Sequence, residues 1–235
     1  MRKDHLLSAL IIGVCIGIAG IAIGLGFYKG RSADRYVTVK GLAEREVKAD
    51  LAIWPITFGV ANNDLAELQE GIEKSRQKIK DFLVGNGFCG EQISHSAPKI
   101  RDTQTEDYGS TTKPQYRYIA ESTVTTRTNE VELVKKTMEK SGELVGKGVV
   151  LRTQTWENPI EFLYTSLNDI KPEMIQEATK NARSAAERFA EDSDSKVGKI
   201  RNASQGYFSI NDRDRNSPDV KLVRVVTNVD YFLVD

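Results

Sequence analysis

The chain has 235 residues, with 33 Lys and Arg against 33 Asp and Glu, a formal net charge of zero and a pI near 6.8. Charges of both signs, interspersed along the chain, exclude the concentrated basic face that nucleic acid requires, so no nucleic-acid partner is expected. Of the two cysteines, Cys15 lies in an apolar run, which leaves Cys89 without an intrachain disulfide partner; the polar part of the chain, roughly 200 residues, is large enough to bury a core unaided.

After a short polar start at 1–5, the run Leu6–Phe27 contains no charged residue. As a helix it would be roughly 33 Å long, which predicts a transmembrane anchor over 6–27 with the lipid bilayer as its partner. The Gly26–Arg31 stretch offers no small-residue cleavage pattern, so the anchor is expected to be retained. Phe27, Tyr28, Lys29 and Arg31 suit an exit through the headgroup zone. Arg2 and Lys3 on one side, and Lys29, Arg31 and Arg35 on the other, leave its sidedness undecided by charge. Gly13, Gly17, Gly20 and Gly24 give two small-xxx-small spacings that fit helix-to-helix packing in a membrane, although glycine is common in such helices anyway.

A linker over 28–34 precedes the region 35–235. Tyr36–Lys40 alternates like a strand, with Gly41 expected to end it. Val47–Val60 predicts a second, with Ala52, Trp54, Ile56, Phe58 and Val60 on one face and Pro55 marking an edge or a bulge. Leu65, Leu68, Ile72, Ile79 and Phe82 form the stripe of a helix over about 64–83, capped by Asp64 with Glu67 and stopped by Gly85 and Gly87. Strands are predicted at Ile93–Arg101 and Tyr116–Arg127. Asn129 is expected to cap a second helix that buries Val131, Val134 and Met138 and ends at Gly142 or Gly146. A strand over Val149–Trp156 follows. The third helix has Pro172 in its first turn and the stripe Ile175, Ala178, Ala182, Ala185 and Phe189, whose small residues predict close packing on a sheet. Val197–Tyr207 and Val220–Leu233 complete the strands, around a charged loop at Asn211–Asp219. The fold class is therefore α+β: antiparallel or mixed sheets packed with about three helices, preceded by one transmembrane helix.

Few groups suggest chemistry. His95 is the only histidine of this region, which rules out a multi-His metal site within the chain. Ser94 and Ser96 flank it, but neighbours on a strand point to the opposite face. Cys89 is expected to be a small buried residue in a turn. Asp212, Asp214 and Asn216 open like a calcium loop, yet Ser217 and Val223 stand where the glycine and the bidentate glutamate belong. Carboxylate pairs such as Glu44 with Glu46, or Glu106 with Asp107, read as solvated surface. Arg101, Tyr108, Tyr116, Arg117 and Tyr118 could form a recognition patch, and cross-strand aromatic packing accounts for them equally well. No catalytic, cofactor or metal residue is assigned.

Two stretches carry a resemblance. The first is Tyr36–Ala52, with Gly41, Asp50 and Ala52; the second is the alanine-rich helix running into Lys196–Ile200, with Ala178, Ala182, Arg183, Ala185, Ala190, Gly198 and Ile200. Together they resemble the SIMPL-domain family of bacterial envelope proteins. Ala43, Ala49, Ser193 and Asp194 depart from its pattern at turn positions. The resemblance implies an α+β fold, a periplasmic or outer-surface location, assembly into a homo-oligomer such as a large ring, and no known catalytic residues. The expectation is a non-enzymatic protein of the bacterial inner membrane with its soluble region in the periplasm, acting by self-assembly and partner binding. A small-molecule or peptide binding module of the envelope is the alternative.

Overall fold

The computed structural model describes residues 13–26, 35–105, 115–152 and 158–234. Residues 13–26 form helix α1, with its side chains exposed throughout. At 1.5 Å per residue this described segment is about 21 Å long, and no helix among the described residues is long and apolar enough to cross a membrane. The rest of the expected span, 6–12 and Phe27, lies outside the described residues.

The elements that follow are β1 (Tyr36–Lys48), β2 (Leu51–Asn62), α2 (Leu65–Gly85), β3 (Ile93–His95), β4 (Lys99–Asp102), β5 (Tyr118–Thr128), α3 (Val131–Glu139), α4 (Gly142–Gly146), β6 (Val150–Leu151), β7 (Glu161–Leu163), α5 (Leu167–Asp192), β8 (Lys196–Gln205), β9 (Ser209–Asp212) and β10 (Val220–Val234). The α+β class therefore holds, with antiparallel pairing wherever register is recorded. Two compact units result: Met1–Arg45, Asn168–Ser209 and Val223–Asp235 form one, and Glu46–Leu167 with Ile210–Leu222 form the other.

In the first unit β10 lies between β1 and β8. Gly41 does not end β1, which runs on to Lys48. Its role is a close approach: a Cβ there would stand 1.8 Å from the Ala178 carbonyl oxygen and 2.6 Å from the Ala182 nitrogen, both backbone atoms of α5. The predicted close packing of an alanine helix on a sheet is thus present, but on a rotated stripe. Met174, Ala178, Ala182, Ala186 and Ala190 are buried, following the i+4 row of the helix surface. Phe189, one residue and about 100° before Ala190, is 60% exposed instead of buried. Val39, Val229 and Tyr231 complete this core with Ala182 and Ala186. After α5 the chain turns at Asp194 with φ 49°, a left-handed conformation that aspartate tolerates better than most residues.

In the second unit β5 and β2 form the centre of a six-stranded sheet, ordered β3-β5-β2-β6, with β4 on β5 and β7 on β2. Ala52, Trp54, Ile56 and Phe58 face a core shared with Leu68, Ile72, Ile79, Phe82 and Leu83 of α2. Leu65, expected on this stripe, is half exposed. Asp64 caps α2 as predicted, accepting from the Ala66 and Glu67 amides at 2.7 and 3.0 Å. Gly87 has φ 106° just beyond the Asn86 cap, a backbone region where glycine is favoured.

Pro55 lies in neither an edge strand nor a bulge. β7 pairs with Leu51–Ile53 and β6 with Phe58 and Gly59, and on that side no described residue pairs with Pro55. The predicted strand at Ile93–Arg101 is split into β3 and β4 because Ser96–Pro98 inserts an extra residue opposite β5, shifting the register from His95↔Val124 to Lys99↔Glu121. α5 begins at Leu167, five residues before the proline expected to open it.

Candidate functional site

Asp50 sits between β1 and β2, where its carboxylate gathers the opposite end of its unit. It accepts from the Thr165 amide at 2.7 Å, the Thr165 hydroxyl at 3.0 Å and the Ser166 amide at 2.9 Å. Its own amide donates to the Leu163 carbonyl at 2.9 Å, and its carbonyl accepts from Asn129 Nδ2 at 2.7 Å. Burial alone would raise this carboxyl, but the hydrogen bonds from Ser166 and Thr165 outweigh it and hold the pKa below its ordinary 3.8. These bonds fix the chain immediately before Leu167, so the start of α5 is set by a partner more than a hundred residues away. Asn129 is thereby committed to Asp50 and does not cap α3; Glu130 holds that position with no side-chain hydrogen bond.

Beside this node lies a cleft of about 520 Å³, lined by Lys48, Ala49, Asn129, Val131, Leu133 and Lys136 together with the carboxylates of Glu130, Glu132 and Asp219. Asp219 binds Lys135 Nζ at 2.7 Å, and that bond is the chief cause of its lowered pKa. The Asp219 carbonyl also takes the Ala49 amide at 2.8 Å. An uncapped helix start, lysines and carboxylates thus share one concave, partly apolar surface, which suits a small ligand carrying charges of both signs. Periodicity could not single out these residues, because the two strand ends and the helix start that supply them are far apart in sequence.

The expected recognition patch is only partly assembled. Tyr108 lies outside the described residues. Arg117 turns its Nε–Nη2 edge to Asp102, with Nη2 to Oδ2 at 3.0 Å and Nε to Oδ2 at 3.2 Å, and its guanidinium lies 4.9 Å from the Tyr118 ring centroid. The bond to Asp102 is the main reason its pKa is raised. Tyr118 packs against the core of its unit, while Tyr116 is exposed. Arg101 lines a separate shallow cleft of about 250 Å³ with Lys99, Ile100, Ile119, Glu121 and Arg152. Of the two described tyrosines only Tyr118 is packed, and Arg117 is bonded to Asp102.

Gly13, Gly17, Gly20 and Gly24 all lie on α1 with open space around them. Cys89 is exposed, contrary to the buried position expected; it stands at the start of the short 3-10 turn Gly90–Gln92, and its neighbour Phe88 is the buried residue. His95 is exposed on β3 opposite Val124. In the acidic loop Asp212 is paired with Lys221 and Asp214 accepts from Arg213 Nε at 2.8 Å, so both carboxylates face cations of their own chain. Among the described residues no group of three or more His, Cys, Asp or Glu side chains converges.

Fold and site together define an α+β protein in which Asp50, bonded to Leu163, Thr165, Ser166 and Asn129, holds structure together. The model of the SIMPL family, described as proteins of unknown function (DUF541), matches residues 37–225, and the chain belongs to that family. No curated protein matches the chain.

Proposed function

We propose that this protein is anchored in the bacterial inner membrane by its N-terminal helix, holds its soluble region in the periplasm, and acts there through homo-oligomeric assembly and partner binding without catalysis. The observation that carries the reading is α1: Val14, Ile18, Ile21 and Leu25 on one face and Ile16 and Ile23 on the opposite face are each more than half exposed. Water does not favour such a helix, whereas hydrocarbon does. The uncharged run continues outward to Leu6 and Phe27, which brings its length to the bilayer core. Several anchors on one assembly would add avidity for the membrane and fix the soluble regions in a common orientation.

Two measurements test it. The membrane-associated chain should resist extraction by alkaline carbonate. Light scattering in detergent should give a mass that is a multiple of 26.2 kDa, and a strict monomer both with and without residues 1–34 overturns assembly. Replacing Gly13, Gly17, Gly20 and Gly24 with leucine leaves that mass unchanged if the helix is only a tether, and lowers it if the helices pack together.

The second reading, a binding module for a small molecule or peptide, is favoured by the cleft beside Asp50. A shift of the amide signals of Glu130–Leu133 on adding zwitterionic peptides would support it, and their invariance would set it aside.

A further inference from the structure

Residues 27–34 alone separate α1 from Arg35, and these eight positions span at most about 28 Å when fully extended. Whatever surface holds α1 therefore lies within that reach of the start of β1. Strand pairing gathers a particular set of side chains at this end of the four-stranded sheet. The Leu233 amide donates to the Arg35 carbonyl at 2.9 Å, and on the other flank of β10 Lys196 lies opposite Val234. The alternate residues Val39, Val229 and Tyr231 pack with α5, so Tyr36, Thr38, Asp230 and Phe232 belong to the face turned away from it. On that face the Arg201 guanidinium lies 4.1 Å from the Tyr36 ring centroid and 5.8 Å from that of Phe232. The register skips Arg201 between Asn202↔Asp230 and Ile200↔Tyr231, a bulge that re-aims its side chain.

Arg35, Tyr36, Lys196, Lys199 and Arg201 are all exposed. Among the described acids of this face, Asp230 accepts from the Thr38 hydroxyl at 2.8 Å and Glu44, farther along β1, pairs with Arg224 at 3.4 Å. Glu191, Asp192 and Asp194 belong to the end of α5 and the turn after it. Cations interleaved with aromatic rings, close along the chain to an apolar helix, form the combination that settles at a headgroup layer. A stacked guanidinium spends its faces on the rings and keeps its donors in its own plane, a geometry that matches phosphate oxygens.

We propose that this end of the sheet, centred on Tyr36, Arg201 and Phe232 and flanked by Lys196 and Lys199, docks on the anionic phospholipid headgroups of the bilayer that holds α1. The proposal rests on the anchoring of α1.

The test uses the full chain carrying Cys15→Ala and Cys89→Ser, with a nitroxide on Asn202→Cys, in phosphatidylcholine vesicles with and without phosphatidylglycerol. Accessibility of the label to a water-soluble nickel chelate is expected to fall when the anionic lipid is present. A label on Tyr207→Cys, a fully exposed position past the far end of β8, should stay accessible in both lipids. Changing Lys196, Lys199 and Arg201 to glutamine should restore access, each lost cation lowering the docked-to-undocked ratio about fivefold. Equal shielding of Asn202→Cys in both lipids would assign the surface to a protein contact and overturn the proposal, as would no shielding in either. In both cases flotation with the vesicles after carbonate leaves the anchor standing. A chain that does not float overturns anchor and docking together. Should the triple variant misfold, the comparison of the two lipids with the native surface still decides.

Discussion

Adding one methyl group at Gly41 tests how α5 is held on its sheet. In Gly41→Ala the new Cβ would meet the Ala178 carbonyl oxygen at 1.8 Å, the Ala182 nitrogen at 2.6 Å and the Ala178 carbonyl carbon at 2.8 Å. Real Cβ contacts stay beyond 3.0 Å, and all three of these atoms are backbone, so no rotamer change relieves the clash. Strand and helix have to separate by more than an ångström. That separation would loosen the contacts of Val39, Ala182, Ala186, Val229 and Tyr231, which are all almost fully buried. Overpacking of this kind costs about 1–3 kcal/mol where side chains can adjust, and sometimes more; with only backbone to move, at least about 3 kcal/mol is expected. Near the midpoint that corresponds to a drop of about 6–12 °C for a region of this size. Thermal unfolding followed by circular dichroism provides the assay. Gly85→Ala is the control, because nothing lies within 4 Å of its added Cβ and its φ is not positive; it should change stability by less than about 1 kcal/mol. A Gly41→Ala protein within about 0.5 kcal/mol of the parent would refute the close approach.

Asp50→Asn removes the charge that gathers the Thr165 and Ser166 donors, and urea unfolding should show a loss of about 1–3 kcal/mol. The same carboxyl sets a pH dependence. Its folded pKa lies below the ordinary 3.8, so between the two values the unfolded chain binds the extra proton and acid favours unfolding. Asp219 acts in the same direction through Lys135. Their contribution is complete above the ordinary carboxylate range and disappears as the pH falls through the folded values; a midpoint in urea that stays level from pH 6 to pH 3 would contradict this. Cys89 should react with a thiol reagent in the native protein, because it is exposed, and labelling only after denaturation would refute its placement. Arg117→Gln should leave the urea midpoint almost unmoved, since Arg117 and Asp102 are paired near the surface with side-chain exposures of 44% and 22%; a clear drop in the midpoint would show that the pair organises the region.

Legibility followed the range of the forces involved. α2 could be read almost to the residue, because its stripe, its Asp64 cap and its stop at Gly85–Gly87 are all local signals. The alternating face of β2 was legible for the same reason, even at Pro55, although the expected start at Val47 falls within β1. Errors came where a distant partner decides. At Leu167 the chain is held by Asp50, and Ser166 with Asp169 three residues on is the start signal that the proline rule passed over, so the start was placed too late. Asn129 has the chemistry of a cap but spends its amide on the Asp50 carbonyl. In α5 the apolar pattern allowed two adjacent stripes, and the choice between Ala185 with Phe189 and Ala186 with Ala190 depends on the approach of β1, which local periodicity does not contain.

The same contrast bears on what family membership can mean for function. The residues that carry the resemblance are occupied by the fold. Gly41 admits the α5 backbone, Ala178 and Ala182 form the other side of that contact, Ala52 and Ala190 are buried, and Asp50 ties β2 to the segment before α5. Gly198 belongs with them, since a Cβ there would stand 3.0 Å from the Phe232 carbonyl oxygen. Asp194, where the family pattern favours glycine, keeps the left-handed turn that glycine would supply. A signature built from close approaches and one buried-end carboxylate selects an architecture without selecting a reaction. What distinguishes this chain has to be sought in residues the signature does not constrain, such as the cleft at Glu130–Leu133 and the cationic aromatic end around Arg201. Substitutions there should alter binding or membrane contact while leaving the unfolding midpoint almost unmoved, and substitutions at Gly41 or Asp50 should do the reverse.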